Sequence, residues 1–172
     1  LPAAGKGEFA AILANNSIPV VSMGDMVRAE VKRRGIPEEP SVFGQIATEL
    51  RKEFGEDVLA QRLTKAVDGL LEKNQIVLIE GLRGTAEREV FSNHWGENFL
   101  VVAITASLEL RFQRVKSRGR SEDGELDDLL ARDEREKGWG LGQIIEEADK
   151  KFPNEAGLEE LQELVSDWLN LL

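Results

Sequence analysis

The chain has 172 residues, 41% hydrophobic and 31% charged, with a formal net charge of −10 and no cysteine. That length suits one domain with a sizeable core. Lack of cysteine excludes disulfides, thiol catalysis and cysteine-ligated zinc; a single histidine, His94, argues against a histidine metal site, the acidic balance against a nucleic-acid-coating protein, and the shortness of every apolar run against a membrane span. A cytoplasmic protein is the simplest reading.

In chain order, Phe9, Ile12 and Leu13 predict a first helix ending near Asn15. Ile18–Ser22 (IPVVS) reads as a short strand, and Met26 to about Arg34 as a helix stopped by Gly35 and Pro37. Phe43, Ile46, Ala47, Leu50 and Phe54 recur at helical spacing from about Ser41. Asp57 is placed to cap another helix, carrying Leu59, Leu63, Val67, Leu70 and Leu71 on its core side. Ile76–Ile79 (IVLI) and Phe99–Thr105 (FLVVAIT) are continuous apolar runs, as strands covered on both faces require. Thr85 to Asn93 reads as helix, and Ser107 is placed to cap a helix to about Ser117. Arg118–Gly124 is a polar loop, Glu125–Lys137 a helix, Gly138–Gly142 (GWGLG) a break, and Gln143–Lys151 a further helix. A short strand near Phe152–Asn154 and an amphipathic helix with Leu158, Leu161, Leu164, Val165, Trp168 and Leu172 in period finish the chain. Alternating strands and helices imply an α/β fold with a parallel sheet and helices on both faces.

The first seven residues, LPAAGKG, supply the second half of a phosphate-loop pattern. In such a loop backbone N–H groups cradle phosphates, the lysine reaches the terminal ones, and the helix N-terminus points at the anion. Leu1, Pro2, Ala3, Ala4, Gly5, Lys6 and Gly7 are therefore the candidate nucleotide-binding residues, with Gly7 standing where Ser or Thr is usual and Glu8 an unexpected acid beside the phosphates. Such a loop normally follows a buried strand, so the reading expects a longer natural protein with that strand ahead of Leu1.

Three later segments follow in kinase order. Ile18–Ala29 (IPVVSMGDMVRA) resembles the acceptor segment of adenylate kinases. Ser22 or Asp25 can cap its helix, Gly24 leaves room for a ligand, and Arg28 can present a bidentate fork to phosphate. Ile76–Thr85 (IVLIEGLRGT) resembles the strand and D-G-F-P-R-T turn of nucleoside monophosphate kinases, with Glu80 at the acid's position, then Gly81, and Arg83 one residue early. Glu80 is placed to hold Mg²⁺ through its water shell. Arg111, Arg114 and Arg118 share a helix face at i, i+3 and i+7. Arg114, Arg118, Arg120 and Arg132 match the arginines that close an adenylate-kinase lid on the transferring phosphate, whereas Arg135 reads as a partner of neighbouring acids on a charged helix. Ala148, Asp149 and the Asn154–Gly157 segment resemble the A-D…N-x-G ending of dephospho-coenzyme A kinases, making Asn154 a further nucleotide-binding candidate.

The resemblance spans essentially the whole chain and is strongest to an uncharacterised archaeal family of adenylate-kinase-like proteins related to dephospho-coenzyme A kinase. It implies a single three-layer phosphate-loop NTPase domain over residues 1–172, with acceptor-binding helices at about 23–74 and a small helical lid at about 118–142. It also implies transfer of the γ-phosphoryl group of ATP, with Mg²⁺, to a nucleoside monophosphate. Lys6, Arg118, Arg120 and Arg132 then act catalytically, Gly24, Asp25, Arg28, Gly81 and Arg83 hold the acceptor, and no nucleic acid or membrane partner is expected. Phosphorylation of a hydroxyl on a nucleotide-like acceptor and non-catalytic nucleotide binding are the alternatives. No general base is evident in the sequence, which favours a phosphate acceptor; oligomeric state is unreadable.

Overall fold

A computed structural model describes residues 1–37, 39, 41–118 and 125–171, and for Arg118 the backbone only. Nine α-helices lie among the described residues: α1 (Lys6–Asn15), α2 (Met23–Arg34), α3 (Val42–Phe54), α4 (Val58–Leu71), α5 (Thr85–Trp95), α6 (Leu108–Arg118), α7 (Leu126–Gly138), α8 (Leu141–Glu146) and α9 (Leu158–Leu169). Four short strands separate them: β1 (Val20–Ser22), β2 (Leu78–Glu80), β3 (Val102–Thr105) and β4 (Lys150–Pro153). All pairing is parallel. Strand β1 runs beside β2 with Ser22 opposite Glu80, and β3 beside β4 with Thr105 opposite Pro153. Among the described residues no ladder joins the two pairs.

Adjacent residues of a strand point to opposite faces, and β2 uses both. Ile79 packs with Val21 against the larger core, built from Met23, Val27 and Val31 of α2, Ile46, Ala47 and Leu50 of α3, Leu59 and Leu63 of α4 and Phe91 of α5. Leu78 instead packs on a second core, where Phe9, Ile12 and Leu13 of α1 meet Ile104, Phe152, Leu161 and Val165. Fully burying a side chain of this size contributes about 1.5–3 kcal/mol. Helices thus cover both faces of β2.

Several local expectations shift. Helix α2 starts at Met23, three residues earlier than the sequence predicts, and neither Ser22 nor Asp57 makes a side-chain capping bond. The Ser22 hydroxyl donates to Glu80 Oε2 across the strand pair at 3.0 Å, and Asp57 accepts from Gln61. The glycine break is shorter than GWGLG, since α8 already begins at Leu141. Residues 150 and 151, expected in a helix, belong to β4, because Val101 and Asn154 tie that segment to β3 through Lys150 N–H and Thr105 C=O. Leu158 and Leu164 face solvent although they keep period with buried Leu161 and Val165.

Candidate functional site

The Leu1–Gly7 loop turns tightly. Ala3 at φ 59° and Gly5 at φ 107° both occupy the left-handed region, uncommon for alanine and natural for glycine. A Cβ on Gly5 would lie 2.1 Å from Asn154 Nδ2, so the contact requires glycine. The loop is braced from behind. Asn154 Nδ2 donates to the carbonyl oxygen of Ala4 at 3.0 Å, Arg114 donates to the backbone oxygen of Asn154 at 2.9 Å, and Arg111 reaches the carbonyl oxygen of Pro2 at 3.2 Å. Arg111 is itself clamped by Asp133 of α7 through two hydrogen bonds of 2.9 and 2.6 Å. Asn154 and Arg114 thus hold the loop's shape from its back.

Lys6 opens α1, and its ammonium donates to the carbonyl oxygen of Leu1 at 2.8 Å. Desolvation pulls its pKa from the ordinary 10.5 down to about 8; the charge of Glu136 opposes this, and that of Arg83 assists it. The acid at position 8 faces solvent. At the end of β2, Glu80 lies close enough to influence Lys6 electrostatically and accepts the Ser22 hydroxyl. That carboxylate and hydroxyl are hard oxygen donors, a set that fits a magnesium ion keeping most of its water. Gly7 adds no hydroxyl. Gly81 follows at φ 100°, a backbone conformation in which a side chain would be strained.

Beyond Lys6 a cleft of about 70 Å³ is lined by Gly24, Arg28, Phe43, Gly44, Arg83, Arg132, Arg135, Glu136 and Trp139, among others. Four guanidinium groups converge on it. Arg28 pairs with Asp25 at 2.7 Å at the exposed mouth, so Asp25 aims that arginine. Arg83 and Arg132 each place Nε 3.3 Å from Oε1 of Glu136. Arg135, read from sequence as a partner of neighbouring acids, is exposed and lies against Gly44, where a Cβ would approach its guanidinium to 2.7 Å. Partial desolvation of that guanidinium pulls its pKa down. Arg118 (side chain) and Arg120, both expected to act in the lid, lie outside the described residues.

Three site residues escaped the sequence reading. Glu136 is buried in the cleft; burial alone would raise its pKa, but Arg83, Lys6 and Arg132 outweigh that and hold it below the usual carboxylate range. Its position four residues after Arg132 shows one shared helix face, which was legible. Glu87, fully buried, accepts the N–H groups of Gly84 and Arg83 at 3.0 and 3.2 Å. It thereby fixes the turn that carries Arg83. Its place three residues after Gly84 was a readable helix-start signal. Arg51 donates to Glu87 Oε1 at 2.5 Å and lies 4.4 Å from the centre of the Trp139 ring. Helix α3, the β2 turn and the residue after α7 are therefore mechanically joined.

A family model described as an AAA domain matches residues 1–129. The chain is 42% identical over 171 residues to a UPF0200 protein of Methanosarcina acetivorans, covering 99% of this chain and 90% of the relative. A UPF0200 protein of Methanoregula boonei is 43% identical over 171 residues, covering 99% of this chain and 92% of the relative. A UPF0200/UPF0201 protein of Archaeoglobus fulgidus is 39% identical over 165 residues, covering 95% of this chain but 51% of that longer relative. Among solved structures, TT1252 from Thermus thermophilus matches with a TM-score of 0.55 at 20% identity, covering 99% of this chain and 93% of that one. At that identity the likeness speaks for the fold. No described helix is long and apolar enough to cross a membrane.

Proposed function

The chain belongs to the UPF0200 family of archaeal proteins and carries an AAA domain, and from that premise we propose that it is an ATP-dependent phosphotransferase acting on a nucleoside monophosphate. The observation that carries the reading is the convergence of Arg28, Arg83, Arg132 and Arg135 on one cleft beside the phosphate-loop Lys6. Four always-charged forks in one small space suit a phosphate on the acceptor as well as the phosphate in transfer. Phe43 and Trp139 line the same cleft, giving a planar ring apolar surface to lie on.

Little covalent chemistry is asked of the protein in phosphoryl transfer; positioning and charge neutralisation dominate. Lys6 and the loop amides hold the donor's phosphates, and Arg28 and Arg83 orient the acceptor. Arg132 offsets charge that develops on the equatorial oxygens, the role that the resemblance also gives to Arg118 and Arg120. Glu80 and Ser22 suit a hydrated magnesium ion, which supplies further charge neutralisation when bound. The cleft's 70 Å³ is well below the several hundred Å³ of an ordinary small-molecule site. In this reading helix α7 moves to admit an acceptor, as a lid does.

Incubation of the full chain with Mg-ATP and a panel of monophosphates and dephospho-coenzyme A tests the proposal. ADP formation that depends on AMP or CMP supports it. ADP formation only with dephospho-coenzyme A moves the activity to a hydroxyl acceptor, and ATP binding without turnover leaves a nucleotide-binding protein without transferase activity. Absence of ATP binding sinks the reading.

A further inference from the structure

Glu136 is 1% exposed, yet it is bound to its surroundings loosely for a buried carboxylate. A carboxylate clamped by guanidinium groups usually accepts N–H bonds of about 2.7–2.9 Å on both oxygens. Here Arg83 and Arg132 share Oε1 at 3.3 Å each, and among the described residues Oε2 has no hydrogen-bond partner. The buried Nε of Arg83 lacks one as well. Contrast Asp133, three residues earlier on α7, whose pairing with Arg111 is fully bidentate at 2.9 and 2.6 Å. The cations around Glu136 also outnumber it. Arg83, Lys6 and Arg132 are the charges that depress its pKa, and Arg28 and Arg135 line the same cleft.

A planar monoanion surrounded by that many cations is an incomplete match; a phosphoryl group offers more oxygens and more charge in the same space. We propose that Glu136 is an internal stand-in for phosphate, holding Arg83 and Arg132 and pinning α7 over the phosphate loop until a phosphoryl group takes those partners from it. The carboxylate touches no reacting atom in this scheme. It is a positioning residue that acts through Arg83, Arg132 and Lys6, and it sets the affinity of the site by competing for them. Lid opening becomes an exchange of one anion for another. The exchange keeps three half-buried cations from facing one another unneutralised, which costs free energy where water screens them only partly.

The inference rests on the phosphotransferase reading insofar as the competing ligand is a nucleotide phosphate. Its test is the affinity of the full chain for inorganic tripolyphosphate and for Mg-ATP, by titration calorimetry, in wild type, Glu136→Gln and Glu136→Asp. Removal of the competing charge with the shape kept is expected to tighten both ligands roughly tenfold, as loss of one like-charge contact at a partly screened site implies. Aspartate keeps the charge but draws it back by one methylene, so Glu136→Asp is expected to bind at least as tightly as wild type and less tightly than Glu136→Gln. Damage to structure alone weakens binding, so tightening separates the two explanations. A folded Glu136→Gln that binds no more tightly than wild type overturns the proposal while leaving the phosphotransferase reading intact. Should Glu136→Gln fail to fold, weaker binding by Glu136→Asp overturns it equally. A wild-type protein that binds neither probe removes both.

Discussion

Asn154 donates its side-chain amide to the carbonyl oxygen of Ala4 at 3.0 Å, tying the end of β4 to a loop 150 positions away in sequence. Both partners are buried, so the bond cannot be exchanged for water. Asn154→Ala is expected to cost about 1–2 kcal/mol, the usual consequence of stranding one buried acceptor. Because the same bond shapes the phosphate loop, the variant should also bind Mg-ATP several-fold more weakly. Urea denaturation and calorimetry check the two effects. Lost stability with unchanged affinity would show that the brace is structural alone.

Gly5 lies on the other side of that bond. Gly5→Ala forces a Cβ to 2.1 Å from Asn154 Nδ2 and puts alanine at φ 107°, where left-handed backbone costs about 1–3 kcal/mol by itself. Steric and conformational parts can be separated. In an Asn154→Ala background the clash is gone and only the backbone strain remains, so the second substitution should cost less than the first does in wild type. Equal costs in both backgrounds would contradict the contact.

Arg51 and Glu87 form a buried pair, 6% and 0% exposed, under the turn that carries Arg83. Loss of one member leaves an unpaired buried charge, and about 3–5 kcal/mol of stability is expected to go with it. Glu87→Gln should be milder than Glu87→Ala, because its amide oxygen can still accept the N–H of Gly84. The double replacement Arg51→Met with Glu87→Leu should regain much of the stability but not the phosphate affinity, since the turn loses its anchor. A thermal-denaturation double-mutant cycle measures this coupling.

What the sequence disclosed here was the order of motifs; what it withheld was mostly the destination of each charge. The phosphate-loop residues, Glu80, Arg28, Arg83 and Arg132 stand around one region. Glu80 and Arg83 mark a strand end and Lys6 and Arg28 the first turns of helices, whereas Arg132, in mid-helix, was named through the lid resemblance. Arg135 and Glu136 sit beside Arg132 in a run that reads as an ordinary solvated helix face. Only tertiary packing turns Glu136 inward, while Arg135 stays exposed with its guanidinium against Gly44 of α3. Arg51 falls on the core side of α3 between Ala47 and Phe54, where a charge has no local signature of a partner 36 residues away. Helix ends were the least legible: Ser22 and Asp57 had the chemistry of caps, yet Glu80 and Gln61 took their side chains instead.

Gly44 offers a test of the acceptor side that leaves the donor side alone. A Cβ there meets the Arg135 guanidinium at 2.7 Å. Gly44→Val is thus expected to displace Arg135 and narrow the cleft. The KM for the acceptor should rise by roughly tenfold or more, in line with loss of one charge-assisted phosphate contact, while the Kd for Mg-ATP stays within about twofold of wild type. Steady-state kinetics at saturating ATP, with calorimetry for ATP alone, separates the two. An equal loss in both would place Arg135 on the donor's phosphates.

Lys6 makes pH a probe of the phosphate site, with opposite signs for stability and for binding. Its folded-state pKa of about 8 lies below the ordinary 10.5, chiefly through desolvation. Between those values the unfolded chain carries more proton on this residue than the folded one, so the Lys6 contribution makes stability rise with pH from about 8 to 10.5. Ligand binding runs the other way. A triphosphate beside the ammonium favours its charged form, so the complex takes up a proton when it forms above pH 8. Affinity for Mg-ATP should be nearly flat below pH 7 and then fall by up to about tenfold per pH unit above pH 8. Calorimetry at pH 8.5 in two buffers of different ionisation enthalpy reads the uptake directly, and it should come to about three-quarters of a proton. In Lys6→Met both pH trends should flatten and ATP affinity should drop sharply. Proton uptake that persists in Lys6→Met would assign the titration to another group and remove Lys6 from the phosphates.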